Sequence, residues 1–139
     1  MDYSGRLTEI HQICHMDTPY HFSPFLKKGA CIAITATARK VSKLEMQPCI
    51  DFFTKKGFKV LEAEFLYAED NQFAGTDSQR AQSLQSLLDR TDVDAIICAR
   101  GGYGTQRILP MLDFSGYIKK PKWIIGFSDI TCLHAELLK

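Results

Sequence analysis

Short apolar runs alternate along this chain with longer segments whose apolar residues recur every three or four positions. The run Ala30-Cys31-Ile32-Ala33-Ile34-Thr35, introduced by Lys27-Lys28-Gly29, predicts a buried strand, and so does Asp94 to Arg100. Phe58 to Phe65 predicts another strand, and Trp123 to Ile125 a fourth, also buried. Between the first two, Ser42 with Glu45 three positions on is a capping-box signature, and helical spacing continues to Lys56, where Gly57 stops it. Pro48 conflicts with one continuous helix, because it lacks an N–H and clashes with the preceding turn. A short turn over 42–46 followed by a helix from Pro48 is therefore expected. After a loop at 71–76, Asp77 is expected to cap a helix to about Leu88, with Leu84, Leu87 and Leu88 as its core stripe. A short helix to about Leu109 follows the Gly101-Gly102-Tyr103-Gly104 loop, and Ile130 to Leu138 predicts the last one.

Strand and helix thus alternate four times, which predicts a three-layer α/β domain: a parallel-dominated sheet with helices on both faces. Residues 1–22 carry no sustained period and are expected to be a poorly ordered extension, leaving 23–139 as the domain. The final helix meets no Gly or Pro stop before Lys139, as in a domain cut from a longer protein.

Composition adds boundaries to this picture. The 139 residues suffice for about one domain, and 24% charged with 45% hydrophobic residues is ordinary for a globular protein. A net charge of +1 gives no reason to expect nucleic acid as a partner. No apolar run is long enough to span a membrane, and residues 1–25 lack the apolar core of a signal peptide. Five cysteines, Cys14, Cys31, Cys49, Cys98 and Cys132, form no CxxC pair and read as small core residues of a reduced, cytoplasmic protein. His11 and His15 could share a helix face beside Cys14, but no third ligand completes a metal site. Neither metal nor other cofactor is expected.

In open parallel α/β sheets the loops at the carboxyl ends of the strands gather on one edge, where ligands bind. Two such loops carry candidate chemistry. In the second, a strand runs through Gly126-Phe127-Ser128 into a helix, the geometry of a nucleophile elbow with an exposed hydroxyl and free N–H donors below it. Ile130 stands where the second glycine of that pattern would be, and Ser128 is equally suited to be a helix N-cap. In the first, Gly101, Gly102 and Gly104 allow close backbone approach to an oxyanion or a phosphate, or simply a tight turn with positive φ. A phosphate cradle would want a Lys or Ser/Thr after its glycine, and Gly101 to Arg107 offers only Gly-Gly-Tyr-Gly-Thr-Gln-Arg.

Three segments in register sharpen these alternatives: Phe73 to Asp77, Ala99 to Asp113, and Pro121 to Thr131. They closely resemble the LD-carboxypeptidases, the muramoyltetrapeptide carboxypeptidases of peptidoglycan recycling and their relatives in self-immunity to microcin-type peptide-nucleotide antibiotics. The resemblance runs from about Pro24 to Lys139 and implies a serine peptidase with a Ser–His–Glu triad. The nucleophile of the family motif falls on Ser128. The same resemblance implies that a C-terminal domain, absent here, supplies the Glu and His, and that the substrate is a murein tetrapeptide or a related peptide. Gly102 and Asp129 are the candidate oxyanion donors, with Gly101, Tyr103 and Arg100 as further substrate-binding candidates. Arg100 could hold a substrate carboxylate or form a buried structural pair. His134, the only histidine outside residues 1–22, lies six positions past Ser128, about 9 Å along a helix, too far for a general base. This fragment alone is therefore expected to be inactive. A non-catalytic small-molecule-binding module and a scaffold domain are the competing readings, and a homodimer is left open.

Overall fold

The structure, a computed structural model, describes residues 23–138; the N-terminal extension, with His11, Cys14 and His15, lies outside the described residues. The elements are β1 (Cys31–Thr35), α1 (Lys43–Lys55), β2 (Lys59–Glu62), α2 (Asp77–Asp89), β3 (Ala95–Cys98), α3 (Thr105–Ile108), α4 (Ser115–Lys119), β4 (Trp123–Ile125) and α5 (Thr131–Leu137). A 3-10 turn at Leu109–Met111 extends α3, and another at Ser128–Ile130 leads into α5. The four strands are parallel in the order β2-β1-β3-β4. The chain leaves β1 for β2 on one side and then crosses to β3 on the other. That reversal splays apart the loops leaving β1 and β3 and opens a crevice at their carboxyl ends.

Alternation along the strands sends side chains to two cores. On one face Ala33, Ile96 and Cys98 meet Ala81, Leu84, Leu87 and Leu88 of α2, with Ile108 of α3 and Leu133 of α5. On the other, Ile34 and the partly buried Val60 and Ile97 meet Val41, Leu66 and Met46 of α1. Each fully buried leucine contributes about 1.5–3 kcal/mol, so the stripe on α2 is a main anchor of the sheet. The three-layer expectation holds. The fourth strand, however, is not buried: Trp123 and Ile125 are 41% and 42% exposed. β4 is an edge strand, and only Ile124 turns toward the core of α2 and α5.

Several boundaries differ from the sequence expectation for local reasons. α1 runs unbroken through Pro48, with the Ser42–Glu45 capping box in place. Pro48 sits in the second turn, where it forfeits a single bond to the carbonyl of Leu44, a residue that faces solvent. The cap of α2 is Thr76 rather than Asp77: its hydroxyl accepts from the Gln79 N–H, and the Gln79 side chain accepts from the Thr76 N–H. β2 stops at Glu62 because the chain turns there, with Leu66 N–H donating to the Ala63 carbonyl, which buries Ala63 and Leu66 together. α4 was not expected; Asp113 starts it by accepting from the Ser115 N–H at 2.9 Å.

Behind the sheet edge lies a buried cation. Lys122, 1% exposed, donates from Nζ to the carbonyls of Leu87 (2.9 Å), Leu88 (2.9 Å) and Arg90 (2.6 Å) at the C-terminal end of α2. Burial pulls its pKa below the usual lysine range, and the helix end supplies the negative potential that keeps a charge there. Replacing Lys122 by Met is expected to cost about 2–4 kcal/mol in urea unfolding, because three carbonyls lose their donor at once. An unchanged unfolding midpoint would mean that water serves those carbonyls as well.

Candidate active site

Three loops meet at the carboxyl ends of the strands: 36–42 after β1, 99–104 after β3 and 126–129 after β4. Contact between the last two is intimate. A Cβ on Gly101 would stand 3.3 Å from Ser128 Cβ, 3.2 Å from the Phe127 carbonyl oxygen and 3.4 Å from the Asp129 nitrogen. Gly102 has φ +112°, and a Cβ there would strike the Arg39 side chain at 2.8 Å. The glycine loop is thus squeezed between the loop after β1 and the Ser128 turn, and both its close approach and its positive φ require glycine. Ser128 lies beside it, at the same end of the sheet, as the sequence led us to expect.

Ser128 itself has φ +61°, a left-handed conformation that costs a non-glycine residue on the order of 1–2 kcal/mol. An N-cap would instead be extended, with its hydroxyl bonded to the first turn. Phe127 and Ile130, not Ser128, hold the N-cap positions of the 3-10 turn and α5. Among the described residues Ser128 is engaged through its carbonyl, which accepts from Thr131 Oγ1 at 2.6 Å, while its hydroxyl bonds none of them. Ile130 explains how the turn does without the second glycine of the elbow pattern. It is fully buried and packs beneath Gly126, where a Cβ would meet Ile130 Cγ2 at 2.7 Å.

Side chains lock the three loops together. Asp129 Oδ2 accepts from the Thr105 N–H at 2.8 Å, capping α3 from across the crevice. Thr105 Oγ1 in turn lies 2.8 Å from Thr37 Oγ1 in the loop after β1. Arg80, 1% exposed, then holds that loop: its Nε donates to the Thr37 carbonyl (3.1 Å) and its Nη1 to the Gly75 carbonyl (2.6 Å). Arg80 also pairs with Asp77, whose other oxygen takes Arg107 at 2.6 and 2.9 Å. Burial pushes the Asp77 carboxyl up, but the hydrogen bonds and charge of Arg107 and Arg80 outweigh it and hold it below the usual range. Both guanidiniums stack on Phe73, at 4.8 and 5.1 Å from its centroid, and the exposed Tyr103 ring lies 6.4 Å away.

The other candidates fall as follows. Arg100 is neither buried nor free: its exposed guanidinium pairs with Glu45 at 2.5 Å and donates to the Lys40 carbonyl at 3.2 Å. Hydrogen bonds from Ser42, then from Arg100, hold the Glu45 carboxyl down at about 2. His134 Nε2 sits 3.2 Å from the Ile124 carbonyl, turned to the backbone of β4. Of the described cysteines only Cys98 is buried, its thiol pushed up to about 12 by burial; Cys31, Cys49 and Cys132 are partly buried and all four are free. Among the described residues no group of three or more His, Cys, Asp or Glu could hold a metal, and no helix is long and apolar enough to cross a membrane. A cleft lined by Pro24, Phe25, Asp94 and Lys120 lies at the amino ends of the strands, away from Ser128.

Sequence reasoning passed over Thr37, Arg39, Arg80 and Arg107. Asp77 and Arg107 do lie inside the segments whose spacing was recognised, a signal that could have marked them. Thr37 and Arg39 carry none beyond their place after β1.

Comparison with known proteins matches this arrangement. A Bacillus subtilis protein named as a probable murein peptide carboxypeptidase is 33% identical over 112 residues, which make up 81% of this chain and 35% of that protein. The crystal structure of the muramoyltetrapeptide carboxypeptidase from Oxalobacter formigenes superposes with a TM-score of 0.72 at 32% identity, covering 79% of this chain and 37% of that one. The microcin C7 self-immunity protein MccF superposes at 0.77 with 28% identity, covering 82% and 35%, and has also been solved with aspartyl sulfamoyl adenosine. The chain spans little more than a third of the length of the curated relatives it matches. Residues 32–139 match the model of the LD-carboxypeptidase N-terminal domain, and with the nested loops at the carboxyl ends of its sheet the chain belongs to the LD-carboxypeptidase family.

Proposed function

We propose that residues 23–139 form the nucleophile-bearing N-terminal domain of a cytoplasmic serine LD-carboxypeptidase that removes the terminal D-alanine from murein tetrapeptides during peptidoglycan recycling. The observation that carries this reading is Ser128 held at φ +61° against Gly101, with a hydroxyl that bonds none of the described residues. Backbone strain of this kind persists where surrounding structure over-determines it, here the Gly126–Ile130 packing and the Asp129–Thr105 bond. In the reaction, Ser128 Oγ attacks the carbonyl of the L-centre while its proton passes to a base. The N–H groups of Gly102 and Asp129 stabilise the oxyanion. Collapse breaks the amide bond, the D-alanine amine leaves with the proton, and water hydrolyses the acyl-serine.

The base and its orienting carboxylate come, on this reading, from a histidine and a glutamate of a C-terminal domain, since His134 is committed to the backbone of β4. The chain by itself should then release D-alanine from an L,D-tetrapeptide at no more than about 10⁻⁴ of the rate of the full-length protein. Following D-alanine release by both proteins tests this. Comparable turnover by the two would show that the base lies within these residues, and no release by the full-length protein would remove the peptidase reading.

A second reading has one observation in its favour. The exposed Tyr103 ring beside the glycine loop would stack on a base, which suits a microcin-type immunity peptidase acting on an acyl-nucleotide conjugate. Faster cleavage of an aspartyl sulfamoyl adenosine analogue than of the tetrapeptide would select it.

A further inference from the structure

The cations on the loops around Ser128 are neutralised, with one exception. Lys40 pairs with Glu69 at 2.6 Å, Arg100 with Glu45, and Arg80 and Arg107 share Asp77. Among the described residues Arg39 is the one arginine with no carboxylate partner, and its guanidinium makes a single long bond, 3.4 Å from Nη2 to the Gln72 amide oxygen. Its place is nevertheless well defined. The Lys40 N–H donates to the Gln72 carbonyl and the Ala74 N–H to the Ala38 carbonyl, so the backbone on both sides is tied to the loop before α2. Its stem lies across Gly102, where a Cβ would stand 2.8 Å from Cγ and Cδ and 3.0 Å from Nε.

Gly102 is the neighbour of Gly101, which touches Ser128, so the Arg39 stem and the Ser128 hydroxyl flank the same two glycines, no more than about 14 Å apart along these contacts. The span a carboxypeptidase needs falls inside that limit. A serine attacks from about 3 Å, the terminal carboxylate lies about 4 Å beyond the scissile carbonyl, and a charge-assisted hydrogen bond adds about 3 Å. We propose that Arg39 binds the free carboxylate of the C-terminal D-residue and so makes the site specific for chain ends. This rests on the reading of Ser128 as nucleophile. A guanidinium suits the task because its fork engages a carboxylate through two parallel bonds, and among the described residues four of its five N–H donors find no partner. Gly102 serves the same end, since any side chain there would push the Arg39 stem away.

The test uses the full-length protein with two probes: an L,D-tetrapeptide ending in D-alanine, and the same peptide ending in D-alanine carboxamide. Arg39→Gln should raise KM for the acid about 10- to 100-fold with kcat within about threefold, and leave the carboxamide unchanged. Arg39→Lys, which keeps the charge but not the fork, should fall between. An equal effect on both probes, or none, overturns the proposal while leaving the peptidase reading intact. If the wild-type protein cleaves neither probe, calorimetric titration with the same two peptides reports on Arg39 independently. Weaker binding of the acid alone by Arg39→Gln then sustains the carboxylate site without the peptidase, and equal binding by wild type and variant overturns it.

Discussion

Ser128→Ala in the full-length protein is expected to lower kcat for D-alanine release by about 10⁴-fold or more while leaving the unfolding midpoint within about 0.5 kcal/mol of wild type. The two halves of this result have separate causes. On the proposed reading the rate falls because no acyl-enzyme can form, although the backbone donors of Gly102 and Asp129 remain. Stability hardly moves because the N-cap positions of the 3-10 turn and α5 belong to Phe127 and Ile130, and the Ser128 hydroxyl bonds none of the described residues. Ser128→Gly sharpens the contrast. It should be as inactive as the alanine variant yet more stable by about 0.5–1 kcal/mol, since glycine adopts φ +61° without the penalty a Cβ brings. An active alanine variant with a lowered unfolding midpoint would return Ser128 to a purely structural role.

Arg80→Ala should be the most damaging substitution for folding, at about 3–5 kcal/mol in urea unfolding of this chain. Removal leaves the Thr37 and Gly75 carbonyls without their donor, opens a cavity beneath Phe73 and leaves Asp77 to Arg107 alone. Arg80→Lys keeps the charge but cannot serve Thr37, Gly75 and Asp77 together, so an intermediate loss is expected. Arg80→Met, of similar volume, should lose less than alanine because it refills the space even though the polar partners stay unserved. A loss under about 1 kcal/mol for alanine would show that the Arg80 bonds are replaced by water, and that the loop after β1 stands on other contacts. The expected loss also reaches the candidate site. Thr37 is the link between Arg80 and Thr105, and Thr105 takes the Asp129 carboxylate that fixes the turn at Ser128.

These two residues mark where sequence reasoning succeeds and where it stops. The apolar runs at β1 and β3 and the Leu84, Leu87, Leu88 stripe were legible because burial on both sides of a strand, or one side of a helix, writes a period into the chain itself. From the alternation of those periods came the parallel three-layer sheet, and from it the rule that loops at carboxyl ends meet, which brought Ser128 and Gly101–Gly104 together before any coordinates. The capping box at Ser42–Glu45 was equally legible, being local. What could not be read were interactions between residues far apart in sequence. Strand order decided that β4 is an edge, so Trp123 and Ile125 are exposed although the run is wholly apolar. Arg80 and Lys122 are polar by composition and buried by circumstance, each because backbone carbonyls from other segments converge on it. Arg100 found Glu45 from 55 positions away, a pairing that no local pattern announces, while Arg39 has no carboxylate partner among the described residues. Sequence alone determined the periodic elements and the residue types able to do chemistry. The tertiary structure decided which charges are already spent and that Ser128 is held left-handed beside Gly101, because pairing and strain arise only when separate segments are packed together.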